Sequence, residues 1–340
     1  MLVATRASHG AGRGNDRVRR TIETGGTMES CRMAFIGAGG MTREHVRAFR
    51  DVPGVELAGL YSRTRAKAEA LAGEFGIGLV CDSTEELYDR TRADLVVMAV
   101  PELAARAIAL SCFEFPWTLL AEKPLGYSLG EAQEIQAAAV AHGRKVLVGL
   151  NRRFLSSSRT VLADLAQQPG PRFIQVHDQQ SLAAARAIGH PEPVVKHWMY
   201  ANSIHLVDYL RLLGRGRITT VRPALPWNDG TAAAVVAVVE FESGDRGLYQ
   251  GIWSGPGPWM ASVTTAAKRW EMRPLEQAAF QLAGERQLNP VEAHAWDKDF
   301  KPGFRLQAEH AVAAALGRPS DAATLDQAME TMRLISAIFA

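Results

Sequence analysis

The feature that most constrains the fold is a glycine-rich turn in FIGAGGMTREHVRAF, residues 35–49. Before the turn, Met33 to Ile36 are apolar enough for a buried strand. After it, Val46 and Phe49 are spaced as on one face of a helix. A strand, a glycine turn and a helix in this order can hold a dinucleotide phosphate at the helix N-terminus.

The glycine motif is incomplete, because Gly37 and Gly39 fit G-x-G-x-x-G while Thr42 takes the third position. We expect Gly37 to form the tight turn and Gly39 to let the backbone approach a pyrophosphate. Gly40 and Met41 open the helix and would point their N–H groups at the anion. We expect Thr42 only to loosen the helix–strand contact. An ordinary strand-to-helix turn stays open as the alternative.

From Met28 onward, strand and helix patterns alternate, which predicts an α/β domain with a doubly wound parallel sheet over residues 28–150. The predicted strands are 33–36, 55–61, 79–80, 95–100, 117–121 and 145–149. The predicted helices are 42–49, 65–75, one capped by Ser83 or Thr84, 103–110 and 129–141.

The remainder of the chain mixes strands with terminal helices. Strand composition marks residues 172–177, 218–222, 232–241 and 246–252, and helical patterns mark 306–316 and 325–339. Residues 232–239 are too apolar for a strand with one wet face, so we expect this strand to lie centrally in its sheet.

Composition excludes several classes of protein. A formal charge of +2 without a run of like charges argues against a nucleic-acid partner. No apolar stretch approaches the roughly 18 residues of a membrane span. Cys31, Cys81 and Cys112 are scattered, which predicts buried thiols, no metal site and a cytoplasmic location.

The first 27 residues stand apart, since they are rich in Gly and Arg and nearly lack large apolar side chains. They predict a disordered extension, and they lack the apolar region of a signal peptide. We hypothesise that Met28 is the biological start.

The end of the second strand indicates which nicotinamide cofactor is preferred. An NAD site usually places a carboxylate there for the ribose 2′-hydroxyl, whereas this chain has Ser62 and Arg63. Both can bind a 2′-phosphate, which favours NADP with NAD as the alternative. The open alternative is that Arg63, Arg65 and Lys67 form a solvated helix start.

Seven motifs occur in order along the chain. They are FIGAGG (35–40), YSR (61–63), VVMAVP (96–101), AEKPL (121–125), NRRF (151–154), SIHLVDYL (203–210) and DKDFKPGF (297–304). With these motifs, the chain from residue 33 to its C-terminus resembles the glucose-fructose oxidoreductase, inositol dehydrogenase and rhizopine catabolism (Gfo/Idh/MocA) family. The resemblance implies a two-domain NAD(P)-dependent oxidoreductase acting on a sugar, cyclitol or related polyol. It also implies that residues 151–340 form a substrate-binding α+β domain with an open, mostly antiparallel sheet, through which copies of the chain oligomerise.

The family resemblance assigns acid–base roles to two residues. Lys123 of E-K-P would lie between the nicotinamide and the reacting hydroxyl, where burial lowers its pKa. Glu122 would position the ribose or the lysine, and Pro101 belongs to the cofactor site. His205 is the second candidate.

The family places an Asp four residues before this histidine, but Ala201 stands there, with Asn202 beside it as the nearest polar substitute. Asn202 could orient the substrate or His205 but cannot exchange a proton. Three alternatives stay open: Lys123 and His205 act alone, Lys196 or His197 assists, or turnover is lost.

Substrate groups are expected from the second domain. Asn151, Arg152 and Arg153 follow the last strand of the first domain, where arginines could bind a carboxylate or phosphate or could pack at the junction. Trp198 and Tyr200 could form a sugar-stacking surface or belong to the core. Asp208 is expected to anchor its helix or the second domain rather than to react. The resemblance also suggests that Lys301 and Phe304 close the cleft.

Two functions from different classes follow. One is a cytoplasmic NADP-dependent sugar or polyol oxidoreductase. The other is a binding protein that senses NADP(H) or a sugar on the same scaffold without turnover, which the loss of the Asp at Ala201 would favour.

Overall fold

The computed structural model describes residues 30–228 and 233–340. The predicted extension over residues 1–27 lies outside these ranges and stays a prediction. The described strands form a six-stranded and an eight-stranded sheet.

The six-stranded sheet has the order β3-β2-β1-β4-β5-β6, and all its strand pairs are parallel. This is the order of the doubly wound dinucleotide-binding fold, so the predicted Rossmann-like sheet is confirmed. Its strands are β1 (Cys31–Ile36), β2 (Val55–Tyr61), β3 (Val80–Cys81), β4 (Leu95–Met98), β5 (Thr118–Ala121) and β6 (Val146–Val148). The helices between them are α1 (Gly40–Arg50), α2 (Arg65–Phe75), α3 (Thr84–Thr91), α4 (Glu102–Cys112) and α5 (Leu129–Ala141).

The apolar runs become strands because helices cover both faces of a parallel sheet. All four residues of β4 are buried, and so are all four of β5. The predicted strand 95–100 ends early, at Met98, because the chain turns to Pro101, which caps α4 at a position where its missing N–H costs nothing. Ser83 caps α3 by accepting a hydrogen bond from the Glu86 N–H at 3.0 Å.

The eight-stranded sheet has the order β14-β13-β12-β11-β7-β10-β9-β8. Within this sheet, β7 and β10 form the only parallel pair among the described strands, which confirms the mostly antiparallel sheet. Its strands are β7 (Phe173–Gln179), β8 (Ile218–Leu225), β9 (Ala234–Phe241), β10 (Arg246–Ile252), β11 (Met260–Thr264), β12 (Lys268–Met272), β13 (Ala278–Leu282) and β14 (Asn289–Val291).

The expected central position of the strand now labelled β9 is wrong, since β9 lies second from the edge, between β10 and β8. Its residues alternate between buried and half-buried, so helices of this chain cover one face only. Val236 and Val238 lie on the half-buried face.

The last helices return to the six-stranded sheet. Phe304, Ala308 and Ala311 share one buried apolar cluster with Val46 and Phe49 of α1. No helix in the described ranges is long and apolar enough to cross a bilayer. These later helices are α6 (Ser156–Leu165), α7 (Leu182–Ala187), α8 (Glu192–Lys196), α9 (Ile204–Leu213), α10 (Trp296–Asp299), α11 (Phe304–Ala315) and α12 (Leu325–Ile338), with a 3-10 turn at Asn151–Phe154 and a π-helical turn at Met199–Ser203.

Candidate active site

A cavity of about 630 Å³ lies at the carboxyl ends of β1, β2 and β4, faced by the segment after β6 and by α9. Ligands of doubly wound sheets bind in this crevice, where the strand order reverses. Thirteen of the residues that the sequence predicts for cofactor, catalysis or substrate line it, and their roles stay predictions. They are Gly37, Gly39, Gly40, Met41, Ser62, Arg63, Pro101, Glu122, Lys123, Asn151, Arg152, Asn202 and His205.

The glycine turn leaves open space beside the start of α1. Gly37 has φ of +103°, and a Cβ there would lie 2.1 Å from the Ala99 carbonyl oxygen. At Gly39 and Gly40 a Cβ would meet nothing within 4 Å. No side chain caps the first-turn N–H groups of α1. An open, uncapped helix N-terminus of this kind fits a dinucleotide phosphate.

Thr42 occupies the contact between α1 and the glycine turn. It is fully buried, and its Oγ1 lies 3.4 Å from the position of a Cβ on Gly37. That hydroxyl makes no hydrogen bond with any described residue. Thr42 therefore takes the place of the third glycine inside the protein, and it does not line the cavity.

The end of β2 presents hydroxyl and cationic groups to the cavity. Ser62, Arg63, Thr64 and Lys67 line it, and none of these four carries a carboxylate. Arg63 forms no ion pair within the described ranges. Arg65 differs, since it pairs with Glu69 at 2.9 Å and with Asp82.

Glu122 is held by a histidine that sequence reasoning missed. Its Oε1 lies 2.7 Å from Nε2 of His45, whose side chain is 2% exposed. Burial would raise the pKa of Glu122, but the hydrogen bond and charge of His45 and the charge of Lys123 outweigh it and lower that pKa. Glu122 is thus a fixed anion beside Lys123. The sequence could have indicated His45, because it lies on α1, the helix that follows the glycine turn.

Lys123 projects into the cavity with its amine beside α9. Its Nζ donates a hydrogen bond to the carbonyl oxygen of Ala201 at 2.9 Å. Burial lowers its pKa below the ordinary 10.5, outweighing the opposing charges of Glu122 and Glu102. A lysine with a lowered pKa is suited to general base chemistry.

His205 is 8% exposed and lies in the same cavity. Burial lowers its pKa well below 6.5, and the positive charges of Lys123, Arg152 and Lys301 act in the same direction. The imidazole is therefore neutral at physiological pH. Its Nδ1 is buried and has no hydrogen-bond partner among the described residues.

The π-helical turn at Met199–Ser203 contains Ala201, which stands where the family has an Asp, and its neighbour Asn202. Ala201 is buried and does not line the cavity, but its backbone carbonyl binds Lys123. Asn202 does line it. Turns of this type are rare in proteins, and those that occur are often found at functional sites.

The arginines after β6 are already paired. Arg152 Nη1 lies 2.6 Å from Glu276 Oε1, and its guanidinium lies over the ring of Trp259 at 5.1 Å. Arg153 is buried away from the cavity, where it binds Asp208 with two hydrogen bonds, of 2.7 and 2.8 Å. Arg153 is therefore a packing residue, and Asp208 is its buried partner, which fits the predicted role of Asp208 as an anchor of its helix or of the second domain.

Of the two alternatives for Trp198 and Tyr200, a sugar-stacking surface or the core, the structure favours the core. Both are buried and do not line the cavity. Trp198 is 8% exposed and donates its indole N–H to Gln180 at 2.9 Å. Trp259, Lys301 and Phe304 line it instead, with His190 at its margin. Trp259 was missed because it lies 54 residues beyond His205 in sequence.

Neither proposed helper of the acid–base pair reaches the cavity. Lys196 is exposed on α8, and His197 Nδ1 lies 2.9 Å from the Pro193 carbonyl oxygen. This leaves Lys123 and His205 as the titratable pair of the predicted mechanism. Within the described ranges, no group of three or more His, Cys, Asp or Glu residues could hold a metal ion.

The match to a known protein family covers the part of the chain that forms the six-stranded sheet. Residues 31–150 match the model of the Gfo/Idh/MocA family, described as an oxidoreductase family with an NAD-binding Rossmann fold. An inositol 2-dehydrogenase from Pseudarthrobacter chlorophenolicus is 26% identical over 286 residues, which cover 81% of this chain and 80% of that protein.

Other relatives match over shorter stretches or by fold alone. A 4-carboxy-2-hydroxymuconate-6-semialdehyde dehydrogenase from a Sphingobium species is 25% identical over 181 residues, 52% of this chain and 57% of that protein. This chain thus spans about half the length of that relative. The structure of a dehydrogenase from Chromobacterium violaceum shares the fold, with a TM-score of 0.77 at 17% identity over 92% of this chain and 95% of that chain.

Proposed function

We propose that this chain, whose residues 31–150 match the model of the Gfo/Idh/MocA oxidoreductase family, is an NADP-preferring oxidoreductase. Its substrate is a sugar, sugar derivative or cyclitol, oxidised or reduced at a hydroxyl or keto carbon. The observation that carries the proposal is Lys123, whose amine lies in the cavity beside the open glycine turn, with its pKa lowered by burial.

A bound nicotinamide would supply the hydride chemistry. The neutral amine of Lys123 can donate one N–H to the Ala201 carbonyl and keep its lone pair for the hydroxyl proton of the substrate. In the reductive direction the protonated amine returns that proton. Neutral His205 on α9 and Asn202 on the π-helical turn before it orient the substrate, and Arg152 with Asn151 closes the same side.

The preference for NADP rests on the end of β2. Ser62 and Arg63 line the cavity where a ribose 2′-phosphate would lie, and Arg63 forms no ion pair with a described residue. A guanidinium and a hydroxyl suit a phosphate better than a diol, which a carboxylate would bind. NAD stays the alternative cofactor.

A screen for turnover tests the enzyme proposal. Purified protein with NADP+ is offered myo-inositol, D-glucose, D-glucose 6-phosphate and D-gluconate, and NADPH formation is followed at 340 nm. In Lys123→Met we expect kcat to fall by about 10²–10⁴-fold while NADPH binding is retained. Lys196→Met is the matched control, because Lys196 is an exposed lysine outside the cavity, and it should match the wild type.

The second candidate is a sensor that binds NADP(H) or a sugar without turnover. Ala201 favours it, because a backbone carbonyl and not a carboxylate meets Lys123. Cofactor binding without reaction on any substrate of the panel would support the sensor over the enzyme.

The proposal extends to assembly and location. We propose a homo-oligomer formed through the open face of the eight-stranded sheet, where Val236, Val238, Leu248 and Ile252 lie side by side, half-buried. Sedimentation of Leu248→Glu beside the wild type tests this.

A reducing, cytoplasmic location suits the three buried free thiols, and burial raises the pKa of Cys31 and Cys112 to about 12.

A further inference from the structure

A buried chain of polar side chains runs from the cavity into the eight-stranded sheet. Asn202 Nδ2 lies 2.8 Å from Gln180 Oε1, which also accepts the indole N–H of Trp198 at 2.9 Å. Gln180 Nε2 donates to Asp178 Oδ1, and Asp178 Oδ2 accepts the hydroxyl of Tyr249 at 2.7 Å. Gln180 and Asp178 are each 1% exposed.

The chemistry of the partners sets the direction of each hydrogen bond. The indole N–H of Trp198 can only donate, so the Gln180 oxygen must face it. The opposite end of that amide must then be the NH₂ group, which suits the carboxylate of Asp178. Because the Gln180 oxygen is the acceptor for both neighbours, Asn202 must donate to it with its own NH₂ group.

The orientation of Asn202 follows from this chain. With its NH₂ group turned to Gln180, its Oδ1 accepts no hydrogen bond from any described residue and is not enclosed by protein. Asn202 lines the cavity with Lys123 and His205. The atom left free in the cavity is therefore a hydrogen-bond acceptor.

We infer that Asn202 Oδ1 is a fixed acceptor for a substrate hydroxyl, and that Gln180 and Asp178 are positioning residues that hold it in that orientation. The inference rests on the proposed function and narrows its substrate class: beside the reacting carbon, the substrate carries a hydrogen-bond donor such as a hydroxyl. A carbonyl or ether oxygen at that point would face another acceptor. Unlike the carboxylate whose position Ala201 takes, the amide selects this hydroxyl without exchanging its proton.

The orientation can be measured without turnover. Side-chain ¹⁵N labelling of asparagine gives NH₂ signals, and the Asn202 signal is identified by its loss in Asn202→Asp. We expect one Asn202 amide proton to be protected from exchange with water in the wild type and to lose that protection in Gln180→Leu. Gln179→Leu is the matched control, because Gln179 bonds to the carbonyls of Gln180 and Gly255 and not to Asn202.

Kinetics on the best substrate of the polyol panel gives the second arm. In Gln180→Leu we expect KM to rise about three- to tenfold with kcat changed by less, since a freely turning Asn202 loses one neutral hydrogen bond made to bound substrate. NADPH binding should be unchanged, and Gln179→Leu should keep the wild-type KM.

Failure of this inference and failure of the proposed function would give different results. An Asn202 proton that is unprotected in the wild type, or equally protected in Gln180→Leu, overturns the inference whether or not the protein turns over a polyol. An unchanged KM in Gln180→Leu also overturns it. A wild-type protein that binds NADPH but oxidises nothing in the panel instead counts against the proposed function, while the exchange measurement still decides the orientation of Asn202.

Discussion

The two walls of the cavity are built by different means. The glycine wall, formed by Gly37, Gly39 and Gly40, presents backbone and open space. The α9 wall, formed by Asn202, His205 and Arg152, presents side chains of which two are held by a partner behind them. Gln180 holds Asn202, and Glu276 holds Arg152. The glycine wall thus depends on backbone geometry, whereas the α9 wall depends on paired polar groups that can change independently of the cofactor site.

The largest effect is expected from breaking the ion pair that anchors α9. Asp208→Asn leaves the Arg153 guanidinium, whose side chain is 11% exposed, without its anion. Removing one partner of a buried pair costs about 3–5 kcal/mol in free energy of unfolding. Urea denaturation measures it. Asp321→Asn is the control, because it breaks the more exposed pair with Arg159 and should cost about 0–1 kcal/mol. Equal losses in both variants would contradict the account.

In the glycine wall, a substitution at Gly37 should lower the free energy of unfolding. Gly37→Ala places a methyl group 2.1 Å from the Ala99 oxygen at a φ of +103°, so we expect a loss of about 3 kcal/mol in free energy of unfolding. Gly39→Ala meets nothing within 4 Å, so it should fold normally and weaken NADPH binding only. Thermal denaturation and nicotinamide fluorescence separate the two, and a stable Gly37→Ala that binds NADPH normally would refute the geometry.

A smaller change tests how the glycine wall chooses its cofactor. Arg63→Ala removes the unpaired guanidinium at the end of β2, so the Kd for NADPH should rise about tenfold while that for NADH stays the same. Arg65→Ala is the matched control, because Arg65 is already paired with Glu69 and Asp82. Equal effects of the two variants on NADPH, or any effect of Arg63→Ala on NADH alone, would argue against the 2′-phosphate role.

The smallest effect is a shift in pH dependence. Oxidation needs the neutral amine of Lys123, so kcat/KM should rise with pH through a pKa below 10.5. The pH profile should show no second titration step near pH 6.5, because the pKa of His205 lies well below that value and its imidazole stays neutral. Glu102 raises the pKa of Lys123. Glu102→Gln should therefore move the rising limb to lower pH. A limb that moves upward would contradict this assignment.

The six-stranded sheet could be predicted because its signals are local. Apolar runs of four to six residues mark β1, β4, β5 and β6, a glycine turn marks the first helix, and the ends of β2 and α5 fall on the predicted residues. The strands β11 to β14 were not predicted, because sequences such as KRWEM in β12 mix charged and apolar residues without a clear alternation.

The α9 wall could be predicted only in part. Lys123, Asn202 and His205 come together as expected, but their partners lie in distant segments that carry no motif of their own. His45, Gln180 and Trp259 belong to this group. The inward turn of Trp198, which makes it a partner of Gln180 and not a surface for substrate, depends on tertiary packing that residue spacing does not encode.

The most direct test of the central claim, that this cavity holds a nicotinamide cofactor beside Lys123, is a fluorescence titration of the purified protein with NADPH and NADH. We predict saturable binding of NADPH, with weaker binding of NADH. Failure to bind either cofactor would contradict the account, because the open glycine turn and the uncapped start of α1 would then have no ligand to hold.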